Sequence, residues 1–522
     1  MLLSEILPRV AAMQPLTQAL VMDSFSVTYA ELYDGASRLA SAFSDLGVHA
    51  GDRVALLGEN YHLIIAEHAA VALGAIPFAV NMRLEDPEME SVLLDGDPIV
   101  AVCDATGIEI LQRINPPGVR FIIACIENTE YSSLSALIQS HSPVKQWFKG
   151  NPDDVSLIIY TGGTTGQPRG VMHTHRSIMQ WTNMNPHQRL AIAPGNKTLL
   201  FNLAHITGQY TVWTTTLSAS CLILAPRYPL SAKDVLGMVD VHRLKFLGFT
   251  GQLLHDFVSL PDLDSHDLSC VDLVVHGGSP TSRHTLRKTV QVLPQATVAE
   301  LYGTTESGLC ITGHFINPWV QQDALEERMD SVGSTSLLSS LGQFPYEIQI
   351  LDDTGCPVAP RVAGEVVCKG NLVMKGYWRN PVATVETIRD GWLHTGDIGW
   401  LDEDGYLYLC DRKKDMIIVN GLNVYSIEVE NLLARHPAID EVAVVSAPRG
   451  DEGEDMVAVV KVKSGHVVAL DEIRRFCSGQ IAEYKLPTRL HLVDNLPRTG
   501  VDKLNKQEIR NWFWDGTGRR VH

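Results

Sequence analysis

Apolar and polar positions follow two rhythms along this chain. Over residues 28–46 the apolar positions recur at helical spacing behind Thr28, a residue suited to capping, and Gly47 closes the run, which predicts a helix. A Gly51-Asp52 turn leads to the apolar run 54–57, read as a strand, and Glu59-Asn60 opens a second helix that ends near Gly74. Further strands are predicted at 78–81, 99–103 and 121–126, then a polar surface connection over 131–150 and a strand at 155–159. Strands alternating with helices indicate α/β layers around a largely parallel sheet. The longest uncharged window, 206–226, is rich in Thr, Ser and Gln and broken by Gly208. It reads as a buried helix followed by a strand, not as a membrane span.

Past residue 340 the rhythm shortens. Segments 346–351, 364–368 and 406–410 alternate and are separated by Asp-Gly-type turns, which predicts an antiparallel sheet or small barrel. The charged run Asp411-Arg412-Lys413-Lys414-Asp415 marks a junction. Beyond it a helix at 426–436, strands at 441–447 and 456–463, and a helix at 470–483 suffice for a small α/β domain.

Composition narrows the function classes. The chain has 522 residues, 45% apolar and 20% charged, the balance of a soluble protein of two or three domains. A formal net charge of −18 argues against a nucleic-acid or anionic-membrane surface, so a polyanionic substrate has to be held by local sites and a metal ion. The 9 cysteines stand singly, with no Cys-x-x-Cys pair, which speaks against zinc and for a reducing cytoplasm. The N-terminal MLLSEILPRV does not read as a signal peptide.

Candidate chemistry gathers in short stretches, each with a plainer alternative. YTGGTTGQPRGV, residues 160–171, follows an apolar strand and combines glycines, hydroxyls and a cation. That combination suits phosphate, since glycines let amide N–H groups point inward; it is not a Walker loop, because no Gly-Lys-Ser/Thr closes it. VVHGGSP, residues 274–280, ends a strand in a Gly-Gly turn that suits a flat ligand or is simply a turn. In LYGTTESG, residues 301–308, Glu306 is a magnesium ligand or a solvated carboxylate. Asp397, between two glycines, is a ribose acceptor or a turn cap. His205 and Lys503 taken singly are an ordinary core histidine and a surface lysine.

In this order, the phosphate-type loop, the Gly277-Gly278 turn, YGTTE, HTGD, DRKKDMI with Gly421 behind it, and the PRT…K stretch resemble the adenylate-forming superfamily over about residues 28–506. That family includes acyl-CoA and aryl-CoA synthetases, adenylation domains of peptide synthetases and firefly-type luciferases. The resemblance implies an α/β fold: a large N-terminal domain, 1–413, of layered α/β subdomains plus a small antiparallel β subdomain, then a small mobile α+β domain, 414–522, with the active site in the cleft between them. It implies that Thr161, Thr164, Thr165, Gly166 and Arg169 hold the β- and γ-phosphates of ATP. Gly278, Ser279 and Tyr302 frame the adenine, Thr305 contacts the α-phosphate, and Glu306 coordinates Mg²⁺. Asp397 and Arg412 hold the ribose, His205 approaches the substrate carboxylate, and Lys503 bridges carboxylate and α-phosphate. Lys414 is the hinge, and Gly421 lines the channel for the thiol of coenzyme A.

Several positions depart from the family pattern. Gly162 stands where serine is usual, Arg169 where lysine is, Asp411 for a frequent glycine, Ser426 for a frequent proline, and Asp502 for the glycine before the catalytic lysine. The implied function is an AMP-forming carboxylate–CoA ligase acting on a small-molecule carboxylic acid. Its alternatives are an adenylating enzyme that loads a carrier-protein phosphopantetheine and a non-catalytic nucleotide-binding paralogue, against which Glu306, Asp397 and Lys503 together argue. The acid, fatty or aromatic, is open, as is a homodimeric state; no nucleic-acid partner is expected.

Overall fold

In the computed structural model the described residues are 1–127, 129–161, 168–184, 193–200, 202–225, 229–279, 281–316, 328–335, 346–419, 422–449, 453–498 and 504–515. They form two compact units: 1–348 with 368–393, and 349–367 with 394–522.

In the first unit the helix predicted over 28–46 runs Tyr29–Asp45. Thr28 accepts from the Glu31 amide while the Glu31 carboxylate accepts from the Thr28 amide at 2.8 Å, a capping box that satisfies two end donors at once. Its Leu32, Ala36, Leu39 and Phe43 are buried, the stripe that the sequence spacing foretold. Tyr61–Leu73, by contrast, is buried almost all round. The connection at 131–150 is not wholly irregular: Ser133 caps a short helix, Leu134–Ser140, of which only Leu134 is buried. One buried residue leaves little periodic signal to read.

Among the described residues two largely parallel sheets organise this unit. One has the order Thr312–Ile316, Thr297–Tyr302, Leu273–Gly277, Phe246–Phe249, Lys197–Leu200, Cys221–Leu224, Gln18–Met22, Phe25–Thr28, parallel except at both edges. The other pairs Ile76–Val80, Arg53–Leu57, Val100–Cys103, Phe121–Ala124 and Ser132–Ser133, all parallel. Apolar side chains such as Leu254, Phe257, Val274 and Val298 form the core against the first sheet. A third, antiparallel sheet joins Val155–Thr161 to Arg169–Thr174 and that strand to Gly376–Tyr377.

In the second unit the strand Leu407–Arg412 runs antiparallel to Trp392–Leu401, with a bulge at Ile398/Gly399 that leaves Asp397 opposite Arg412. Ile439–Pro448, Glu454–Val462 and Arg489–Leu492 make a small sheet whose buried valines pack with the helices Ser426–Leu433 and Leu470–Cys477. The helix predicted over 470–483 stops at Cys477, because Ser478 leaves helical geometry at ψ 131 and Gly479 turns left-handed at φ 78. Lys506–Trp514 is the last described helix. The fold is thus α/β, with a large N-terminal and a small C-terminal part. Compactness groups residues 394–413 with the C-terminal part, ahead of the junction where the mobile domain is expected to begin.

Candidate active site

The phosphate-type loop is the connection of a β-hairpin. Thr161 ends one strand opposite Arg169, which begins the next, and its hydroxyl reaches the Arg169 carbonyl at 3.5 Å. Thr164, Thr165 and Gly166 lie outside the described residues, so only the base of the loop enters the geometry. The Arg169 guanidinium sits 5.4 Å from the centre of the Tyr377 ring, a cation–π contact. The Tyr377 hydroxyl donates to Glu306 Oε1 at 2.9 Å. A cation of the loop and the carboxylate expected to take magnesium are therefore joined through one aromatic side chain.

Glu306 is held in a tight turn. The Thr304 amide donates to Ser307 Oγ at 2.9 Å, the Ser307 amide to Thr304 Oγ1 at 3.1 Å, and the Leu309 amide to the Thr304 carbonyl at 3.1 Å. The Glu306 carbonyl accepts from the Met374 amide at 2.8 Å. Gly308 closes the turn at φ +83, where a Cβ would lie 2.4 Å from the Leu372 carbonyl oxygen, so no other residue fits there. Thr305 is fixed from below: its carbonyl lies 3.0 Å from His173 Nε2. Burial pushes the pKa of His173 down to about 4, with the bond to Thr305 opposing. The ring is neutral at working pH and must carry its proton on Nε2 to donate.

The residues expected around adenine stand together. Gly277 and Leu301 are register partners on adjacent parallel strands, so Gly278-Ser279 and Tyr302 leave neighbouring carboxyl ends, the edge at which open α/β sheets bind ligands. Gly278 is left-handed at φ 76, and Ser279 Oγ accepts from the Gly251 amide at 3.1 Å. Tyr302 is 8% exposed.

His205 caps the helix Ile206–Leu217 and is not a core histidine. Its Nδ1 accepts from the Thr207 amide at 3.3 Å and lies 2.8 Å from Thr207 Oγ1, which leaves the ring proton to Nε2. The turn before it is pinned by Gln209, whose amide donates to the Leu203 carbonyl at 2.9 Å and to Glu67 Oε2 at 3.3 Å. Burial pushes the Glu67 carboxyl up to about 8, with Gln209 opposing. A cleft of about 430 Å³, open mouth included, lies beside this turn, lined in part by Asn60, Met82, Asn202 and Ala204.

In the second unit Asp397, 5% exposed, pairs with Arg412, Nε to Oδ1 at 3.0 Å, so the two residues expected to hold ribose are side by side. Lys414 follows; burial lowers its pKa, with Asp415 opposing. Its carbonyl accepts from Arg510. Gly421 and Lys503 lie outside the described residues. No group of three or more metal-ligating side chains occurs among the described residues.

The family model for AMP-binding enzymes matches residues 7–378, and the model for the C-terminal domain of AMP-binding enzymes matches 428–503. The chain belongs to the AMP-binding enzyme family. This is the adenylate-forming superfamily that the motifs resemble. Among AMP-binding enzymes, the chain is similar to the 2-succinylbenzoate–CoA ligase of Geobacillus kaustophilus, 32% identical over 502 residues and 92% of each chain. It is similar also to the fatty acid–[acyl-carrier-protein] ligase ScoC of Streptomyces coeruleorubidus, 30% identical over 529 residues, 98% of this chain and 96% of ScoC. ATP-bound MatB from Rhodopseudomonas palustris superposes with a TM-score of 0.87 at 25% identity, covering 99% of both chains.

Two participants of this AMP-binding enzyme's candidate site carry no signal of their own in the sequence. Tyr377 sits in KGYW with nothing local to single it out; it reaches Glu306 because its strand pairs with Val171, some two hundred residues earlier. His173 lies inside the strand Arg169–Thr174, where a buried histidine reads as core. Gln209 and Tyr210, on the helix that His205 caps, are both buried, while Thr207 is exposed and Thr211 half-buried.

Proposed function

We propose that the chain is an AMP-forming carboxylate–CoA ligase. The observation that carries this reading is the Arg169–Tyr377–Glu306 string beside the Gly278/Tyr302 strand ends in a chain of this family. A carboxylate is a poor electrophile, and its attack on the α-phosphorus of ATP brings two anions together. The site therefore has to supply positive charge and aligned donors where charge develops.

Arg169, with the threonines of its loop, meets the β- and γ-phosphates; Gly278, Ser279 and Tyr302 hold the adenine edge; Asp397 and Arg412 take the ribose hydroxyls. His205, with its proton on Nε2, faces the acid. Glu306, a hard oxygen donor steadied by Tyr377, fits Mg²⁺ in the mode in which one carboxylate and substrate phosphates share the ion. When bound, Mg²⁺ neutralises phosphate charge. Lys503 donates to the carboxylate and α-phosphate oxygens during adenylation, and pyrophosphate leaves. The domain from 414 onward then rotates about Lys414, withdraws Lys503 and brings Gly421 to the channel through which the coenzyme A thiol attacks the acyl carbonyl; AMP departs. The nucleophiles come from the substrates, so none of the cysteines is required. A cytoplasmic setting follows, in which ATP and coenzyme A are both present; no helix among the described residues is long and apolar enough to cross a membrane.

The similarity to ScoC favours a second acceptor, the phosphopantetheine of a carrier protein. A panel of fatty and aromatic acids, assayed for AMP release with free coenzyme A and with a phosphopantetheinylated carrier, tests both. Acid-dependent AMP release with coenzyme A supports the first reading; turnover only with the carrier selects the second; no acid-dependent release with either refutes ligase activity.

A further inference from the structure

Two residues that depart from the family pattern, Asp411 and Ser426, meet in the structure. Asp411 is 3% exposed. Its Oδ2 accepts from both the amide and the hydroxyl of Ser426, the hydroxyl at 2.7 Å. Ser426 Oγ in turn accepts from Lys506 Nζ at 2.7 Å, and Lys506 also bonds the Glu430 carboxylate at 2.8 and 2.9 Å. Glu430 Oε1 accepts from the Val444 amide at 2.6 Å. Lys506 and Glu430 are only 13% and 14% exposed, so this is a shielded network of one ammonium and two carboxyls. The frequent family residues could form none of its first links, since glycine has no carboxyl and proline has neither N–H nor hydroxyl.

The network straddles the hinge. Asp411 precedes Lys414, while Ser426, Glu430 and Lys506 follow it. Lys506 opens the last described helix; just before it the Asn505 amide donates to the Pro497 carbonyl at 2.8 Å and Leu504 bridges Arg498. Lys503 lies three residues before Lys506 in the chain and outside the described residues. One turn along the same helix, Arg510 donates to the Lys414 carbonyl at 2.5 Å and to Asp415 Oδ1 at 2.8 Å, both of which travel with the C-terminal side of the pivot. Rotation about Lys414 can therefore leave Arg510 in place but has to part Asp411 from Ser426.

We propose that Asp411, Ser426, Glu430 and Lys506 are positioning residues that form a latch across the pivot and hold the Lys503-bearing segment in one of its two settings. The inference rests on the two-half-reaction reading above. Opening the latch shifts the balance between adenylation and thioester formation, because only one setting is favoured by it.

The test uses the full-length protein with Asp411→Gly, Ser426→Ala and Asp411→Asn. Ser426→Ala is decisive, because it removes a latch bond without altering residues 411–415. Two readouts are taken: tryptic cleavage after Arg412, Lys413 and Lys414, which needs no substrate, and the ratio of ATP–pyrophosphate exchange to thioester formation from supplied acyl-adenylate. Cleavage should quicken and the ratio should move by about tenfold in Asp411→Gly and Ser426→Ala, the scale of a lost hydrogen bond to a charged group, with Asp411→Asn between them and wild type. Unchanged cleavage in folded Ser426→Ala, or both half-reactions changing by one factor, overturns the latch. Lys503→Ala, run in parallel, judges the underlying reading separately: if it depresses both half-reactions together, that reading fails while the cleavage rates still decide the latch.

Discussion

Around Glu306 the polar groups are tied by single, mostly neutral hydrogen bonds within one short turn and from His173, Tyr377 and Met374. Around Lys414 the ties are charged: Arg412 on Asp397, Arg510 on Asp415, Lys506 on Glu430. The difference is physical. Neutral bonds to backbone carbonyls cost little to bury and fix a geometry permanently, which suits a cradle for phosphate and metal. Shielded ion pairs carry a desolvation penalty that hydrophobic contacts would avoid; each of these pairs joins partners on one side of Lys414, so rotation leaves them made and parts only Asp411 from Ser426.

Four measurements can break or sharpen this contrast: three variants, from the largest expected effect to the smallest, and a pH profile. Lys506→Ala leaves Asp411 and Glu430 shielded without their ammonium, and should lower stability toward urea by about 3–5 kcal/mol; a neutral result would mean the junction is not built on buried charge. Lys503→Ala should slow ATP–pyrophosphate exchange by about 10²–10³-fold, the cost of losing one charge-stabilising donor, while sparing thioester formation from supplied acyl-adenylate. Tyr377→Phe keeps the ring under Arg169 and removes the hydroxyl's bonds to Glu306 and Thr387. Exchange should fall by about tenfold, as for a bond to a charged group, with the urea midpoint unmoved; a shift in midpoint instead would make Tyr377 structural.

The fourth measurement concerns pH and reads a slope. Glu67 is pushed from 4.5 to about 8 by burial, and Glu300 likewise, with Asp330 adding to burial. Between those values the folded state keeps protons that the unfolded state has lost, so stability declines as pH rises from 4.5 to 8 and levels off above. Glu67→Gln should flatten part of that decline in melting temperature, Glu300 supplying the rest. An unchanged slope would show Glu67 to be ionised in the fold.

The motifs made the family legible because they are local: Tyr302, Thr305 and Glu306 lie in one turn, and Asp397 and Arg412 were each readable before their pairing was seen. The helix Tyr29–Asp45 was legible for the same reason, its cap and apolar stripe being contiguous. What the sequence could not show depends on pairing across distance. Tyr377 gains its role from a strand neighbour at Val171, and Asp411 and Ser426 each stood out as departures but gave no sign of meeting. The overlong helix at 470–483 failed because apolar spacing continues past Gly479, whose left-handed turn breaks the hydrogen-bond ladder regardless.

The central claim is that the acid's own oxygen attacks the α-phosphorus of ATP. A carboxylic acid that supports turnover, labelled with ¹⁸O in both carboxylate oxygens, is incubated with the enzyme, ATP, Mg²⁺ and coenzyme A, and the products are weighed by mass spectrometry. The account predicts one labelled oxygen in AMP for each thioester formed and none in pyrophosphate. Label in inorganic phosphate alongside ADP, or AMP free of label, would contradict it.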